Sequence, residues 1–379
     1  MNKLISVIDF GSQNLRIGIF DNQSKCIYSS LEKICNDKDS NDLEKSLKKL
    51  IKDAEKFLSI HLEDVVVLYD SSQFYFLDLS IRKTFDQPTF INKYYNRLIE
   101  EAKFVISENN FKDQIIHINV NKVVVNSNTI LDNKIDNKKI NSLILEIKFI
   151  CLNKSLINNI TNILKKNNLS ISKIYCSSYT KTFFFKNKIE HKKNFIFLDI
   201  GFEKSSALIF QNNKLIFFKS IPIGGNNITK DISKVLKLDF DYSEDLKLKF
   251  NKNKLDNINL FNDVAEKKIS IDLFKKIVEA RLDEIIDLAT NDHNYLKKTN
   301  LAYKPSLIFI GGGSKLFSNS YNLKFKHRFS KLIFFEESDI DICKSGCNYN
   351  NSDESLLTVE KKKIKKTGIF ESFFNLFSN

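Results

Sequence analysis

Apolar and polar residues alternate along this chain in two rhythms. From Ile8, IDFGSQNLRIGIFDNQSK runs as an apolar strand ending in Asp9-x-Gly11, a short polar turn, then a second apolar run through Ile19-Phe20 into an Asn-containing turn. That pattern predicts a β-hairpin. At an offset of 190 residues LDIGFEKSSALIFQNNK repeats it, with Asp199 matching Asp9, Gly201 matching Gly11, and Ile209-Phe210 matching Ile19-Phe20. Between the copies, Phe74–Ile91 alternates as strands do, Ile91–Ile106 has helical period, and QIIHINVNKVVVNSNTI and LILEIKFICLN read as strands. Leu156, Ile160, Ile163 and Leu164 then mark one face of a helix, with a further strand behind it. Past the second copy, Gly224 and Gly225 predict a turn, Ile228–Leu236 a helix, and Ile269–Ala289 a long amphipathic helix. Ser306–Phe317, SLIFIGGGSKLF, predicts a short strand, three glycines and a helix start.

Composition narrows the classes. With 42% hydrophobic and 28% charged residues, the 379-residue chain is of globular type. No apolar run is long enough to span a bilayer, and the run after Lys3 breaks at Asp9, unlike a secretory signal. The six cysteines (26, 35, 151, 176, 343, 347) lack paired spacing, which argues against a zinc ribbon or disulfide scaffold and for a reducing compartment. The net charge of +13 favours an anionic partner, whether phosphates, anionic lipid or nucleic acid. The lysines are dispersed rather than interleaved with aromatics on one face, which speaks against nucleic acid. No histidine or carboxylate is marked as a water-activating base.

The repeated hairpin carries the candidate chemistry. An acidic residue at a strand end can hold a hydrated Mg²⁺, and the following glycine lets backbone N–H groups approach a phosphate. Asp9 and Asp199 are thus candidate metal holders through water. Gly11, Ser12, Gln13 and Asn14 are the phosphate donors of one copy, and Gly201, Lys204 and Ser205 those of the other. Gly311, Gly312 and Gly313 at a strand-to-helix junction fit a nucleotide at a helix N-terminus. The order hairpin, hairpin, strand-Gly-Gly-Gly resembles the actin, sugar kinase and Hsp70 superfamily. The resemblance implies two α/β domains of actin-like (ribonuclease H-like) fold, with ATP and Mg²⁺ between them.

The segments between and after the hairpins are similar to FtsA, the actin-like bacterial cell-division family. That likeness implies a first domain core of residues 1–73 and 146–193, with an FtsA-type inserted subdomain at 74–145. It places the second domain core at 194–225 and 305–342, with an upper lobe at 226–304. VEARLDEI matches the family's Glu-x-Arg helix, so Glu279 and Arg281 are candidates, and Arg281 and Glu284 lie where the family binds the C-terminal peptide of FtsZ. The second hairpin departs from the family's Asp-x-Gly-Gly-Gly-Thr: Phe202 and Glu203 replace two glycines, which implies either weak nucleotide affinity or another loop geometry.

The last 37 residues read as a polar, Asn/Ser-rich and then basic linker (343–366), followed by a short helix (367–379). Lys361, Lys362, Lys363, Lys365 and Lys366 precede Ile369, Phe370, Phe373, Phe374, Leu376 and Phe377, which share one helical face. Lysines beside an anionic leaflet and buried aromatics together favour reversible membrane adsorption. FtsA proteins end in the same way. The reading as a whole is an ATP-binding adaptor with at most slow hydrolysis. It would polymerise, tether FtsZ filaments to the cytoplasmic membrane and help recruit the divisome. The rivals are a pilus-assembly actin homologue and a kinase or phosphatase of the superfamily.

Overall fold

In the computed structural model, residues 4–34, 40–110, 112–130, 138–189, 194–250, 270–290, 304–316, 324–325 and 327–352 are described. The first hairpin joins β1 (Ile5–Phe10) to β2 (Asn14–Phe20), with Ile8 opposite Ile17 and Asp9 opposite Arg16. β3 (Cys26–Lys33) extends it antiparallel, while β4 (Asp64–Tyr69) and β9 (Ser170–Cys176) add on the other side in parallel. The resulting order is β3-β2-β1-β4-β9. Central strand β1 is covered on both faces, which is why its apolar run is nearly continuous rather than alternating.

The second half repeats this topology. β10 (Asn194–Ile200), β11 (Ser205–Gln211) and β12 (Lys214–Ile221) form the antiparallel part, and β13 (Ser306–Ile310) and β14 (Leu332–Phe334) the parallel part, in the order β12-β11-β10-β13-β14. Alternation sorts its side chains. Phe195, Phe197, Ile308 and Ile310 join the core of the first domain, while Ile196, Leu198, Leu307 and Phe309 face a second core. That second core is closed by α5 (Gly225–Leu236), α6 (Phe240–Lys249) and α7 (Ile271–Thr290).

A separate sheet, β5-β8-β6-β7, forms the insert from β5 (Tyr75–Phe90), β6 (Asp113–Val125), β7 (Asn128–Ile130) and β8 (Lys139–Asn153), backed by α2 (Ile91–Asn109). β8 continues eight residues past the expected boundary at 145, its far end placing Ile150 and Leu152 in the first domain's core. One long strand therefore belongs to both units.

The expected linker from Cys343 is corrected by the structure. α8 (Asp339–Asn350) is a helix with a capping box, Ser338 Oγ accepting from the Asp341 N–H. Although it follows the second sheet, it packs onto β1, β2 and β4 of the first domain and against α4 (Ser177–Lys186). Cys343, Cys347 and Tyr349 are buried there. A Cβ on Gly346 would lie 2.7 Å from a Leu68 methyl, so the small residues fit the helix against the sheet. Polar-looking sequence misled because Ser, Gly and Cys are what such close packing needs. Residues 353–379, including every proposed membrane-contacting side chain, lie outside the described residues.

Candidate functional site

In open α/β sheets, ligands bind beyond the carboxyl ends of the parallel strands. Here those ends come from both halves. β1 delivers Asp9, β4 delivers Asp70, β10 delivers Asp199 and β13 delivers Gly311, around a cleft of about 680 Å³. Of the residues singled out from sequence, Asp9, Gly11, Ser12, Gln13, Asn14, Asp199, Gly201, Lys204, Gly311 and Gly312 line this one cavity. Ser205 and Gly313 do not. Ser205 is buried and donates to the Ile223 carbonyl (2.7 Å), and Gly313 packs on the Ile200 side chain. The expected helix after the glycines is a short 3-10 turn, Gly312–Leu316, in the described residues.

Gly311 is the position where glycine is required. Its φ is +86°, and a Cβ would meet Asp199 Oδ1 and the Ile200 carbonyl oxygen at 2.5 Å. The second hairpin has a geometry of its own. The Gly201 N–H closes the turn onto the Lys204 carbonyl (2.9 Å), and the Gly201 and Phe202 carbonyls accept from the first N–H groups of α5 (2.9 and 2.7 Å). The Glu203 carboxylate accepts from Asn226 Nδ2 (2.8 Å). Beneath the loop the buried Lys247 ammonium bonds the Gly225 carbonyl, Thr229 Oγ1 and Glu244, 5.3 Å from the centre of the Phe202 ring.

Four charged cleft residues escaped the sequence reading: Arg16, Asp70, Lys181 and Glu337. Arg16 was recoverable, since the hairpin register sets it directly across from Asp9; its Nη1 donates to Asp9 Oδ2 (3.0 Å) and its Nε to Asp339 (2.6 Å). Ser177 Oγ donates to the other Asp9 oxygen (3.2 Å). Lys181 comes from α4 and straddles the Asp199 carboxylate, 2.7 Å from each oxygen and 3.4 Å from Glu337. Lys204 bonds Asp70 (3.0 Å) and Ser206 (2.7 Å). Burial pushes up the carboxyls of Asp9 and Glu337, the latter to about 7. Burial also raises Asp199, but the Lys181 ammonium, together with Ser178 and Lys204, holds that carboxyl below the usual range.

The carboxylates expected to hold Mg²⁺ through water, Asp9 and Asp199, are each paired with a cation. Both hairpin carboxylates already accept from buried cations, and among the described residues no three His, Cys, Asp or Glu side chains gather as a metal group. Arg281 likewise is engaged. It bonds both Asp231 oxygens (2.6 and 3.0 Å) and Glu284, fastening α7 to α5.

The doubled sheets and shared cleft have counterparts of known structure. The fold superposes on a PilM–PilN type IV pilus biogenesis complex chain with a TM-score of 0.63, 11% identity, and coverage of 93% of this chain and 98% of that one. It superposes on MreB5 of Spiroplasma citri bound to ADP at 0.50, 11% identity, with 94% and 97% covered. The protein therefore has an actin-like fold. Its sequence points further: the family model "Cell division protein FtsA" matches residues 196–317, a stretch that includes the second hairpin and the glycine loop of the cleft. Cell division protein FtsA of Bacillus subtilis strain 168 is 23% identical over 188 residues, 47% of this chain and 42% of that protein. The Buchnera aphidicola (subsp. Baizongia pistaciae) protein is 29% identical over 143 residues, 32% and 33%. The matched stretches span under half of these relatives. The chain is an actin-fold protein similar to the cell-division FtsA family.

Proposed function

We propose that the protein is a cell-division adaptor of the FtsA type. It binds a nucleoside triphosphate, ATP, in the cleft, assembles with copies of itself into actin-like filaments, and tethers FtsZ filaments to the cytoplasmic face of the membrane at the division site, where other divisome proteins gather. The observation that carries this reading is that the stretch matching the FtsA model, residues 196–317, includes the second phosphate hairpin and the glycine loop of the cleft. ADP bound to the MreB5 neighbour supports a nucleotide as ligand. The lobe of α5 and α7 is the proposed seat of the FtsZ C-terminal peptide, and the basic and Phe-rich segment 361–377 is the proposed anchor. No described helix is long and apolar enough to cross a membrane, which suits peripheral attachment.

The test is co-sedimentation with anionic vesicles of the full chain against a chain ending at Val359, with and without the FtsZ tail peptide. The full chain pellets and carries the peptide down, while the shortened chain stays in solution. Equal behaviour of the two chains would remove the membrane role. A pilus-assembly reading is favoured by the superposition on PilM–PilN along nearly the whole chain, and it predicts that the anchor is dispensable.

A further inference from the structure

Lys181 sets a buried cation at the wall of the cleft. Residues 177–182 of α4 are buried, and Lys181 projects from that buried turn to the cleft wall. Its ammonium touches both oxygens of Asp199 and reaches Glu337, both on the second domain, and its charge also acts on Asp9 across the cleft. It thus balances the Asp199 carboxylate of the second hairpin and the Glu337 carboxylate beside it, charge that a divalent ion in the cleft would otherwise balance. Arg16 takes the remaining demand of Asp9, and Lys204 that of Asp70.

Resting on the nucleotide reading above, we infer that the cleft takes the phosphates of a nucleoside triphosphate without a divalent ion, the Lys181 ammonium standing in the metal's place. An ammonium carries three N–H donors. Its hydrogen bonds to Asp199 Oδ1 (2.7 Å) and Glu337 Oε2 (3.4 Å) take two, and the third is the one a phosphate oxygen takes, in a charge-assisted bond beside the Arg16 and Lys204 groups that line the same cavity. A divalent ion entering between Asp9 and Asp199 meets this fixed positive charge. Lys181 cannot vacate the site by losing its proton, because the carboxylates around it hold its ammonium form far above the ordinary lysine range despite the opposing effect of burial.

The experiment is equilibrium binding of a fluorescent ATP analogue to the full chain, in excess EDTA and in excess MgCl₂, for the wild type, Lys181→Met and Lys181→Arg. Circular dichroism melts check that each variant is folded. The wild type binds equally in both conditions, within about threefold. Lys181→Met loses at least about tenfold in EDTA and regains affinity with Mg²⁺, since the vacated carboxylates then accept the ion. Lys181→Arg keeps a cation at the same place and preserves metal-free binding, so it answers the question even if the methionine variant does not fold. Wild-type binding that requires Mg²⁺ overturns the inference and leaves the nucleotide reading intact. No binding in either condition overturns both.

Discussion

Gly311 and Glu337 line the cleft together at the point where β13 ends. Gly311→Ala puts a Cβ 2.5 Å from both Asp199 Oδ1 and the Ile200 carbonyl at φ +86°, so the loop must shift. The expected cost is about 1–3 kcal/mol in urea melts, together with loss of nucleotide affinity. Gly312→Ala, with open space at its Cβ, is expected to be near neutral. Glu337 makes a pH prediction. The groups facing it are Lys181 from α4, Asp199 from β10 and the Gly311 N–H. Its carboxyl rises from 4.5 to about 7 on folding, so the folded state holds the proton more tightly. Stability from this group is present below the unfolded value and is lost as pH climbs from 4.5 to about 7. Glu337→Gln removes that slope, flattening denaturant midpoints across the window; an unchanged slope would place the titration elsewhere. Neither residue's partner was readable from sequence. Asp9 and Arg16 pair by hairpin register, a local rule, whereas Lys181 meets Glu337 across 156 residues and two domains.

Helices and strands were legible wherever one face is wet. β5 alternates along its length, and of the expected face of α3 (Lys154–Lys165) Ile160 and Leu164 are buried and Leu156 and Ile163 partly so, with Ile157, which was not singled out, buried beside them. The period failed at α8, where both ends of the rule break down. Its buried side includes Ser345, Gly346, Cys343 and Cys347, small residues that a hydropathy pattern does not register. Gly18 of β2 completes the fit, since a Cβ there would lie 2.6 Å from Cys343 Cβ. Gly346→Val therefore overpacks the helix against Leu68 and is expected to destabilise the chain by about 1–3 kcal/mol, read as a lower thermal midpoint. Ending the chain at Ser352 is expected to leave that midpoint unchanged, and ending it at Ser338 to lower it sharply. If both truncations melted alike, α8 would not be part of the first domain's core.

At the scale of the molecule, the chain passes between the halves twice, from α4 to β10 and from β14 to α8, and ion pairs close the space between these crossings. Lys181 of the first half meets Asp199 and Glu337 of the second, and Lys204 of the second meets Asp70 of the first. Ser220 Oγ also donates to the Ser71 carbonyl (3.2 Å), and the Phe76 and Phe217 rings meet edge to face between the insert and β12. The cleft is thus closed by groups that also line it, so ligand binding and domain closure draw on the same charges. Asp70 is the clean point of attack, because it accepts from Lys204 and Ser178 at the cleft wall while its side chain keeps 24% exposure. Asp70→Asn keeps the shape and removes the charge, leaving Lys204 in a mostly buried place without its counter-ion. The expected loss is about 1–3 kcal/mol, between that of an exposed pair and a buried one. The opened ensemble should show as a larger radius of gyration by small-angle X-ray scattering. Added salt should not reproduce the change in the wild type, since buried pairs are weakly screened. ATP should bring the variant back toward the wild-type radius, its phosphates supplying to Lys204 the negative charge that the substitution removed. Matching scattering curves for the two proteins without ligand would mean that the apolar contacts behind the cleft, not its ion pairs, set the closure.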